Sequence, residues 1–310
     1  MTAANPTVTV LLGLCRGREH LPALLDSLHA QDFGDWRVLA GDDGPGDGTA
    51  DVLTGWAART GHRAQVVSGP RRGAAANFMA LLAGLPADTG PVAFADQDDV
   101  WLPGKLSRAL AHLGGAAAAR PAMYCGRSRI CDARLHPLRL SPALHRPPGF
   151  ANALVQNIAA GHTMVFNAAA ARLLRAAAGR AGDVVVHDWW AYQMITGAGG
   201  TVLFDEVPQV LWRQHGSNAI GAGDRARDRA RRLGGLLRGR FRDWSTTNIA
   251  ALARVADLLT AESRSLLAGF ERLRGLPTRE RLRELRRLGL YRQGRAADAS
   301  LWLAAALGKV

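Results

Sequence analysis

Short apolar runs alternate with amphipathic runs along the first hundred residues of the chain. The apolar runs predict strands, and the runs between them predict helices: strands at 7–14, 36–40, 63–67 and 92–95, and helices at 19–30, 49–59 and 74–85. In the first helix, Leu21, Leu24, Leu25 and Leu28 recur at the spacing of one helical face. Alternation at these lengths predicts an α/β fold with right-handed crossovers and a mostly parallel sheet.

The alternation continues less regularly to residue 222. The predicted elements there are helices at 103–113, 168–178 and 187–196, and strands at 123–130, 161–167, 202–204 and 210–212. Segment 136–150 holds four prolines, so we predict a surface loop without regular structure. After residue 222, leucines at helical spacing among arginines predict amphipathic helices. The chain therefore divides into an α/β domain at 1–222 and a basic helical region at 223–310.

Composition narrows the class of protein. The 310 residues are 48% hydrophobic, which is enough for a substantial core. The three cysteines, Cys15, Cys125 and Cys131, form no CxxC pair, so a disulfide framework or a zinc site is not expected. The apolar run at 8–15 is too short for a signal peptide or a membrane span. We therefore predict a cytoplasmic protein.

The net charge of +13 is concentrated in the last ninety residues. Residues 1–220 carry 19 basic and 17 acidic side chains, whereas residues 221–310 carry 20 basic and 9 acidic ones. Between Arg225 and Arg242, arginines alternate with leucines, a pattern that suits an anionic membrane surface. A solvated arginine face packed on the domain is the alternative interpretation. Few aromatic residues are interleaved, so we expect no nucleic-acid partner.

An acidic turn follows the strand predicted at 92–95. Asp96, Asp98 and Asp99 stand within four positions. If strand alternation continued, Asp96 and Asp98 would point to the same side and form a hard-oxygen site for Mg²⁺ or Mn²⁺ holding a diphosphate. The alternative is a solvated turn in which Asp98 or Asp99 caps the next helix.

A second acidic turn, at 41–49, follows the strand predicted at 36–40. Its glycines lack the GxGxxG spacing and the GK[ST] sequence, which disfavours a Rossmann dehydrogenase or a P-loop enzyme. Asp42 and Asp43 can instead accept hydrogen bonds from a nucleobase N–H or a ribose hydroxyl. Parallel sheets bind ligands at the carboxyl edge, where both turns are expected.

Two further segments concentrate polar chemistry. In His187-Asp188-Trp189-Trp190, the Asp188 carboxylate among aromatic rings is a candidate general base, and a helix N-cap is the alternative. In the segment that begins Arg213-Gln214-His215, the imidazole of His215 is a candidate metal ligand or diphosphate donor. Arg213 could offset the charge of a leaving group.

Five ordered blocks carry a resemblance to a known family. They are Asp42-Asp43-Gly44 with Asp47-Gly48-Thr49, residues 73–78, residues 96–105, His187-Asp188-Trp189-Trp190 and residues 213–218. Together they resemble glycosyltransferase family 2, and most closely its bacterial rhamnosyltransferase-type members. The resemblance covers about residues 7 to 220 in order and spacing.

The resemblance implies a GT-A fold, a nucleotide-diphosphate sugar donor of the dTDP or UDP type, Mn²⁺ or Mg²⁺, and inversion at the anomeric carbon. It implies that Asp42 and Asp43 hold the nucleoside, that Asp96 holds the ribose or the sugar, and that Asp98 and His215 bind the metal. It also implies that Arg213 and Gln214 lie on the diphosphate side, that Asn157 and His162 line the sugar pocket, and that Asp188 takes the proton of the acceptor hydroxyl. We expect transfer of rhamnose or another hexose to a cell-surface glycan, carried on a lipid at the inner face of the plasma membrane.

The sequence departs from the family pattern in two places. Leu14-Cys15-Arg16 stands where the family usually has a Thr-Tyr-Asn-like turn, and Pro45-Gly46 replaces the usual Ser-Thr. Neither departure touches the metal or base candidates. The first one motivates a second hypothesis, a degenerate relative that binds a nucleotide sugar or a partner without turnover.

Overall fold

A seven-stranded sheet organises the computed structural model, which describes residues 7–116, 119–215 and 239–310. The strands in chain order are β1 (Val8–Leu14), β2 (Trp36–Asp42), β3 (Ala64–Ser68), β4 (Val92–Asp96), β5 (Val100–Trp101), β6 (Ala122–Gly126), β7 (Arg129–Cys131), β8 (Pro137–Leu140), β9 (Val165–Phe166), β10 (Thr201–Asp205) and β11 (Val210–Arg213). The large sheet has the order β10-β6-β9-β4-β1-β2-β3. Only β9 within it runs antiparallel to its neighbours.

The register of β1 brings the two acidic turns to one edge. Leu14 pairs with Asp42 of β2, and Gly13 pairs with Asp96 of β4. The strands are parallel, so both carboxylates emerge at the carboxyl edge, one on each side of β1. The expectation of a shared edge is confirmed.

A second sheet, of order β5-β11-β7-β8, covers the end of β4. The sequence predicted one strand at 123–130, but that run divides into β6 and β7, which belong to different sheets. The prediction that 136–150 lacks regular structure was wrong for Pro137–Leu140, which forms β8. Pro137 is tolerated because it begins an edge strand, where a missing N–H costs little.

Helices cover both faces of the large sheet. They are α1 (Leu21–His29), α2 (Thr49–Thr60), α3 (Ala74–Ala83), α4 (Lys105–Gly114), α5 (Phe150–Ala153), α6 (Ala168–Ala181), α7 (His187–Gly197), α8 (Arg240–Ala253), α9 (Ala261–Leu273), α10 (Thr278–Arg287) and α11 (Arg295–Ala306). One core lies between the sheet and α1, α2 and α4. The other lies on the opposite face, below α3, α6 and α7. The predicted α/β class is confirmed.

The C-terminal helices α8 to α11 share the second core. Phe241, Leu252, Phe270 and Leu301 are buried in the same cluster as residues of α6 and α7. The helical region therefore packs directly against the α/β part through apolar contacts. Among the described residues, no helix is both long and apolar enough to cross a bilayer.

Candidate active site

The first acidic turn uses its carboxylates to hold backbone. Asp43 accepts the N–H groups of Arg71 and Gly73 at 2.5 and 2.8 Å, and Asp42 accepts the N–H of Gly44 at 3.1 Å. Arg71 has a φ of 58°, in the left-handed region that non-glycine residues rarely adopt. The charged acceptor on its N–H stabilises that conformation, so Asp43 shapes the loop after β3.

Asp47 does the same for the loop after β1. Its carboxylate accepts the N–H of Arg16 at 2.6 Å and the N–H of Thr49 at 2.7 Å. Arg16 also lies in the left-handed region, with a φ of 51°. Gln97 fixes the same loop from the other side, because its side chain pairs with both the N–H and the carbonyl of Cys15. The departure from the family pattern is thus an ordered turn.

The second acidic turn does not continue the strand. β4 ends at Asp96 and a turn follows, so strand alternation gives no reason for Asp96 and Asp98 to share a side. Asp98 Oδ2 instead lies 2.8 Å from Nε2 of His215, at the end of β11. A carboxylate and an imidazole, both part-buried, therefore meet at the sheet edge. The ring of His20 lies 4.7 Å from that of His215, a neighbour that the sequence did not single out.

His162 joins the other two carboxylates of this turn. Its Nδ1 lies 3.4 Å from Oδ2 of Asp96 and 3.0 Å from Oδ2 of Asp99, and its Nε2 lies 2.8 Å from the hydroxyl of Ser128. The three acid and imidazole groups are close enough together to hold a metal ion. Asp99 Oδ1 accepts the N–H of Arg213, while Oδ2 is buried and makes no hydrogen bond despite its nearness to His162.

A buried cation lies beneath this group. Lys105, the first residue of α4, is fully buried, donates from Nζ to the carbonyl of His162 at 2.7 Å, and sits 3.0 Å over the ring of Trp101. Burial lowers the pKa of Lys105 well below its usual range, and burial raises the pKa of Asp99. Burial opposes protonation of His162, but the carboxylates of Asp99 and Asp96 outweigh it and raise the pKa of the ring.

Asp188 lies in the first turn of α7 and reaches across to the next segment. Its Oδ2 accepts the N–H of Gly161 at 3.0 Å, and its Oδ1 accepts the N–H of Trp189 at 2.6 Å. Only 9% of the residue is exposed, and burial raises its pKa, while His187 and the two N–H donors oppose the rise. Gly161 must lack a side chain here, because a Cβ would lie 2.8 Å from Nε2 of His187.

Arg213 and Gln214 hold backbone at the second turn. The Arg213 guanidinium donates to the carbonyls of Asp98 and Ala133 at 2.8 and 2.7 Å, and Gln214 donates to the carbonyl of Arg213 at 3.1 Å. Asn157 is half-buried, and its side-chain oxygen is 3.4 Å from the N–H of Ala159, just before Gly161 and His162. These contacts organise the site around Asp96. Residues 216–218, the rest of this block, lie outside the described residues.

The segment that carries Asn157 is also held by the C-terminal region. The side-chain oxygen of Gln293 accepts the N–H groups of His145 and Arg146. The backbone N–H of Gln293 donates to the side-chain oxygen of Gln156 at 2.6 Å. The Arg292 guanidinium donates to the carbonyl of Val155 at 2.9 Å. No local pattern indicated this connection, because the partners are more than 130 positions apart.

The profile described as "Glycosyl transferase family 2" matches residues 13–174, more than half of the chain. The chain belongs to glycosyl transferase family 2. The resemblance read from the sequence is confirmed at the level of the family. The matched range includes both acidic turns, Asn157 and His162, whereas Asp188 and the Arg213-Gln214-His215 block follow it.

Two solved structures of other proteins have a similar fold. A mannosyltransferase, PcManGT from Pyrobaculum calidifontis in complex with GDP-Man and Mn²⁺, is similar with a TM-score of 0.50 and 19% identity, over 99% of this chain and 87% of that one. TarS 1-349 of S. aureus in complex with UDP-GlcNAc is similar with a TM-score of 0.52 and 14% identity, over 97% and 90%. At this identity the likeness concerns the fold, and it confirms the GT-A prediction. No curated protein matches the sequence.

Membership of the family relates the geometry of the site to glycosyl transfer. This family-2 chain is a glycosyltransferase, and the carboxyl edge of its sheet gathers Asp42 and Asp43 on one side of β1. On the other side it gathers the second acidic turn with His162, and His162 adjoins Gly161, the partner of Asp188. Sequence reasoning missed Lys105 and Ser128. Lys105 had a signal, as one of only two lysines in an arginine-rich chain.

Proposed function

We propose that the chain transfers a hexose from a nucleotide-diphosphate sugar to a glycan acceptor, with inversion at the anomeric carbon. The observation that carries this proposal is the buried carboxylate of Asp188, held at the same sheet edge as the second acidic turn. An inverting displacement needs a base on one face of the sugar and charge neutralisation of the departing diphosphate on the other. Two separate carboxylate sites suit these two tasks.

Asp188 takes the proton from the attacking acceptor hydroxyl. Its raised pKa makes it a better proton acceptor than an exposed aspartate, because burial disfavours the charged form. The N–H groups of Gly161 and Trp189 fix the orientation of the carboxylate. The bond from Trp189 also satisfies one of the free N–H groups in the first turn of α7, whose N-cap, Val186, has no side-chain cap.

Asp98 and His215 are the residues that would hold Mn²⁺ or Mg²⁺. Their ligand atoms lie 2.8 Å apart and both side chains are partly accessible, at 21% and 15%. Oxygen and imidazole ligands suit Mn²⁺, and carboxylate oxygen suits Mg²⁺. When bound, the ion neutralises the charge that develops on the diphosphate.

The group of Asp96, Asp99 and His162 is a poorer metal site. Asp99 and His162 are each 1% exposed, so a metal-bound diphosphate cannot reach them without rearrangement. Nζ of the buried Lys105 already lies close to this group, bonded to the carbonyl of His162. Asp96, whose side chain is 40% exposed, is the member that faces outward, and we assign it to the ribose or the sugar.

The donor occupies the edge from the first turn to α7. Asp42 and Asp43 hold the nucleoside, and Arg213 and Gln214 support the diphosphate side. Asn157 lines the sugar pocket, and the buried His162 supports that pocket from behind through its contact with Asp96. Similarity to structures with GDP-Man and UDP-GlcNAc supports a nucleotide-diphosphate sugar donor. We assign it to the dTDP or UDP type, with rhamnose as the first candidate sugar.

The acceptor is a growing cell-surface glycan, carried on a lipid at the cytoplasmic face of the plasma membrane. The excess of arginine in the last ninety residues supports this location. The sequence assigned membrane contact to Arg225–Arg242. Of these residues, 225–238 lie outside the described residues, whereas Arg240 and Arg242 are exposed at the start of α8.

Substitution of Asp188 by Asn tests the assignment of the base. The variant keeps the size of the side chain but cannot take a proton, so we expect kcat to fall by about 10²- to 10⁴-fold. Donor affinity, measured by calorimetry, should stay within about twofold. Asp183→Asn, at an exposed position before the same helix, is the matched control and should keep wild-type activity.

The second candidate is a relative that binds the donor without turnover. It is favoured by the Leu14-Cys15-Arg16 turn, which replaces the aromatic residue expected near the nucleobase of the donor. The assay separates the two candidates. Donor consumption above background in the wild type, lost in Asp188→Asn, supports the enzyme. Donor binding with no consumption under any acceptor condition supports the binder.

A further inference from the structure

The C-terminal helix α11 has an apolar face that no described residue covers. Leu301, Ala304 and Ala305 point into the core, while Leu303 and Leu307 on the opposite side are 45% and 48% exposed. Ala296 and Ala299 are also exposed and continue the same stripe toward the start of the helix. Apolar side chains that line up on an exposed helix face form a surface that can bind an apolar partner.

Exposed arginines flank this stripe. The neighbouring helix α10 packs against α11, and its Arg281 guanidinium donates to the carbonyl of Ala305 at 2.8 Å. Arg286 of α10 is exposed, and its guanidinium lies 5.9 Å over the ring of Trp302, the neighbour of Leu303 in sequence. Of the two acids of α10, Glu284 is paired with Arg287 and Glu280 is exposed. The apolar stripe thus has a cationic border.

The start of α8 extends this border. A Cβ at Gly239 would lie 4.0 Å from Cδ of Lys309, two residues after Leu307. Arg274 ties the two chain segments together, because its guanidinium donates to the carbonyls of Arg242 and Val310 at 2.9 and 3.0 Å. The start of α8 therefore lies beside the end of α11.

An exposed tryptophan follows on α8. Trp244 is 38% exposed, with the guanidinium of Arg240 4.7 Å over its ring. Its other neighbour is Trp189, at 6.2 Å, next to the candidate base in α7. Tryptophan and arginine are the side chains that accumulate where a protein meets lipid headgroups.

We propose that the exposed stripe of α11, with the bordering arginines of α10 and α8, is a docking surface for an anionic lipid bilayer. Leu303 and Leu307 enter the boundary between headgroups and acyl chains, and the arginines bind headgroup phosphates. A second copy of the chain is the less suitable occupant, because pairing this face with itself would bring two sets of arginines together. The proposal does not rest on the transfer reaction, since it concerns binding alone.

Co-sedimentation of the full chain with lipid vesicles tests the docking surface. The vesicles are phosphatidylcholine alone or phosphatidylcholine with phosphatidylglycerol. We expect the wild type to pellet with the anionic vesicles and to be released by salt. The double variant Leu303→Glu, Leu307→Glu should bind at least about tenfold more weakly, because it replaces the two exposed leucines that would enter the bilayer with two negative charges.

Leu138→Glu is the matched control. It places the same charge at a leucine that is 62% exposed on β8, and it should pellet like the wild type. Leu303→Gln, Leu307→Gln serves as a second variant without added charge and should bind at an intermediate level. Melting temperatures, and donor binding measured by calorimetry, should be unchanged in all three, which separates this proposal from the fate of the proposed function.

Three results would overturn the proposal. The double variant pelleting like the wild type would place any membrane contact elsewhere, in the arginine-rich segment before Gly239. Equal pelleting of the wild type with neutral and anionic vesicles, or none with either, would remove the role of the arginines. A wild-type dimer in light scattering that dissociates on Leu303→Glu, Leu307→Glu would assign the stripe to a second copy.

Discussion

The two acidic turns look alike in sequence and differ in what their carboxylates meet. In the first, Asp42, Asp43 and Asp47 accept backbone N–H groups from their own and neighbouring loops. In the second, Asp98 faces the imidazole of His215, and Asp99 lies against His162 above a buried lysine. The carboxylates of the first turn hold loop backbone in place, whereas those of the second turn contact side chains that can gain or lose a proton.

This difference indicates how each turn contributes to the reaction. Carboxylates that accept main-chain N–H groups fix backbone geometry, and their loss should weaken binding by a moderate amount. Carboxylates that face imidazole and ammonium groups set the charge of the site, so their loss should affect catalysis or folding more strongly. Substitutions in the two turns therefore test whether their carboxylates have different roles.

Among substitutions in the two acidic turns, the largest effect is expected at Asp98. Asp98→Ala removes a carboxylate that we assign to the metal, and we expect kcat/KM to fall by about 10²- to 10³-fold. Steady-state kinetics over a series of Mn²⁺ concentrations measures the change. Asp51→Ala, at an exposed position on α2, is the control and should behave as the wild type. An Asp98→Ala enzyme with wild-type kinetics would remove the distinction between the two turns.

A large effect on stability is expected at Lys105. Lys105→Met keeps the apolar stem but removes the bond from Nζ to the carbonyl of His162. We expect the free energy of unfolding to drop by about 1–3 kcal/mol, because this change leaves a buried carbonyl without its donor. Denaturant unfolding measures it. Lys309→Met, at the only other lysine, should change stability by less than about 0.5 kcal/mol; equal effects would refute the buried network.

A moderate effect is expected in the first turn. In Asp43→Asn the side chain keeps one oxygen for an N–H group but turns an NH₂ toward the other, so one of the bonds from Arg71 and Gly73 is lost. We expect donor affinity to fall about fivefold, equivalent to about 1 kcal/mol, with kcat nearly unchanged. Calorimetry and kinetics together measure this. A fall in kcat as large as that for Asp98→Ala would make the two turns equivalent.

The smallest effect is a shift in the pH profile. Asp188, the proposed base, can accept a proton only when it is ionised, and burial raises its pKa above the ordinary value of 3.8. Activity should therefore be lost as pH falls through this raised pKa, at a higher pH than an exposed aspartate would give. The profile of kcat against pH measures the limb. The residual activity of Asp188→Asn should lack it, and a limb that persists in that variant would assign it to another group.

Much of the fold follows from the sequence because local signals and the sheet agree. Apolar runs located β1 to β4 within a few residues, and their parallel arrangement placed both acidic turns at one edge. The second sheet escaped prediction because its strands have two to four residues and pair across long sequence separations. Local periodicity carries no information about such pairings.

The candidate site was predictable as a set of residues but not as a set of contacts. The sequence pointed to Asp96, Asp98, His162 and Asp188, and the structure brings them to one edge. That Asp99 is buried against His162, and that Arg213 donates to backbone carbonyls, depends on the turn after β4 and on the pairing of β11. Those are tertiary facts that no spacing encodes.

The central claim is that the second acidic turn forms a metal-assisted site for a nucleotide-diphosphate sugar. Its most direct test is the melting temperature of the wild type with UDP, dTDP, GDP and their sugars, each with and without Mn²⁺, because a ligand of the folded state raises the melting temperature. We expect a rise with one nucleotide class that requires Mn²⁺ and disappears in Asp98→Ala. A rise of equal size without metal, or one that persists in Asp98→Ala, would contradict it.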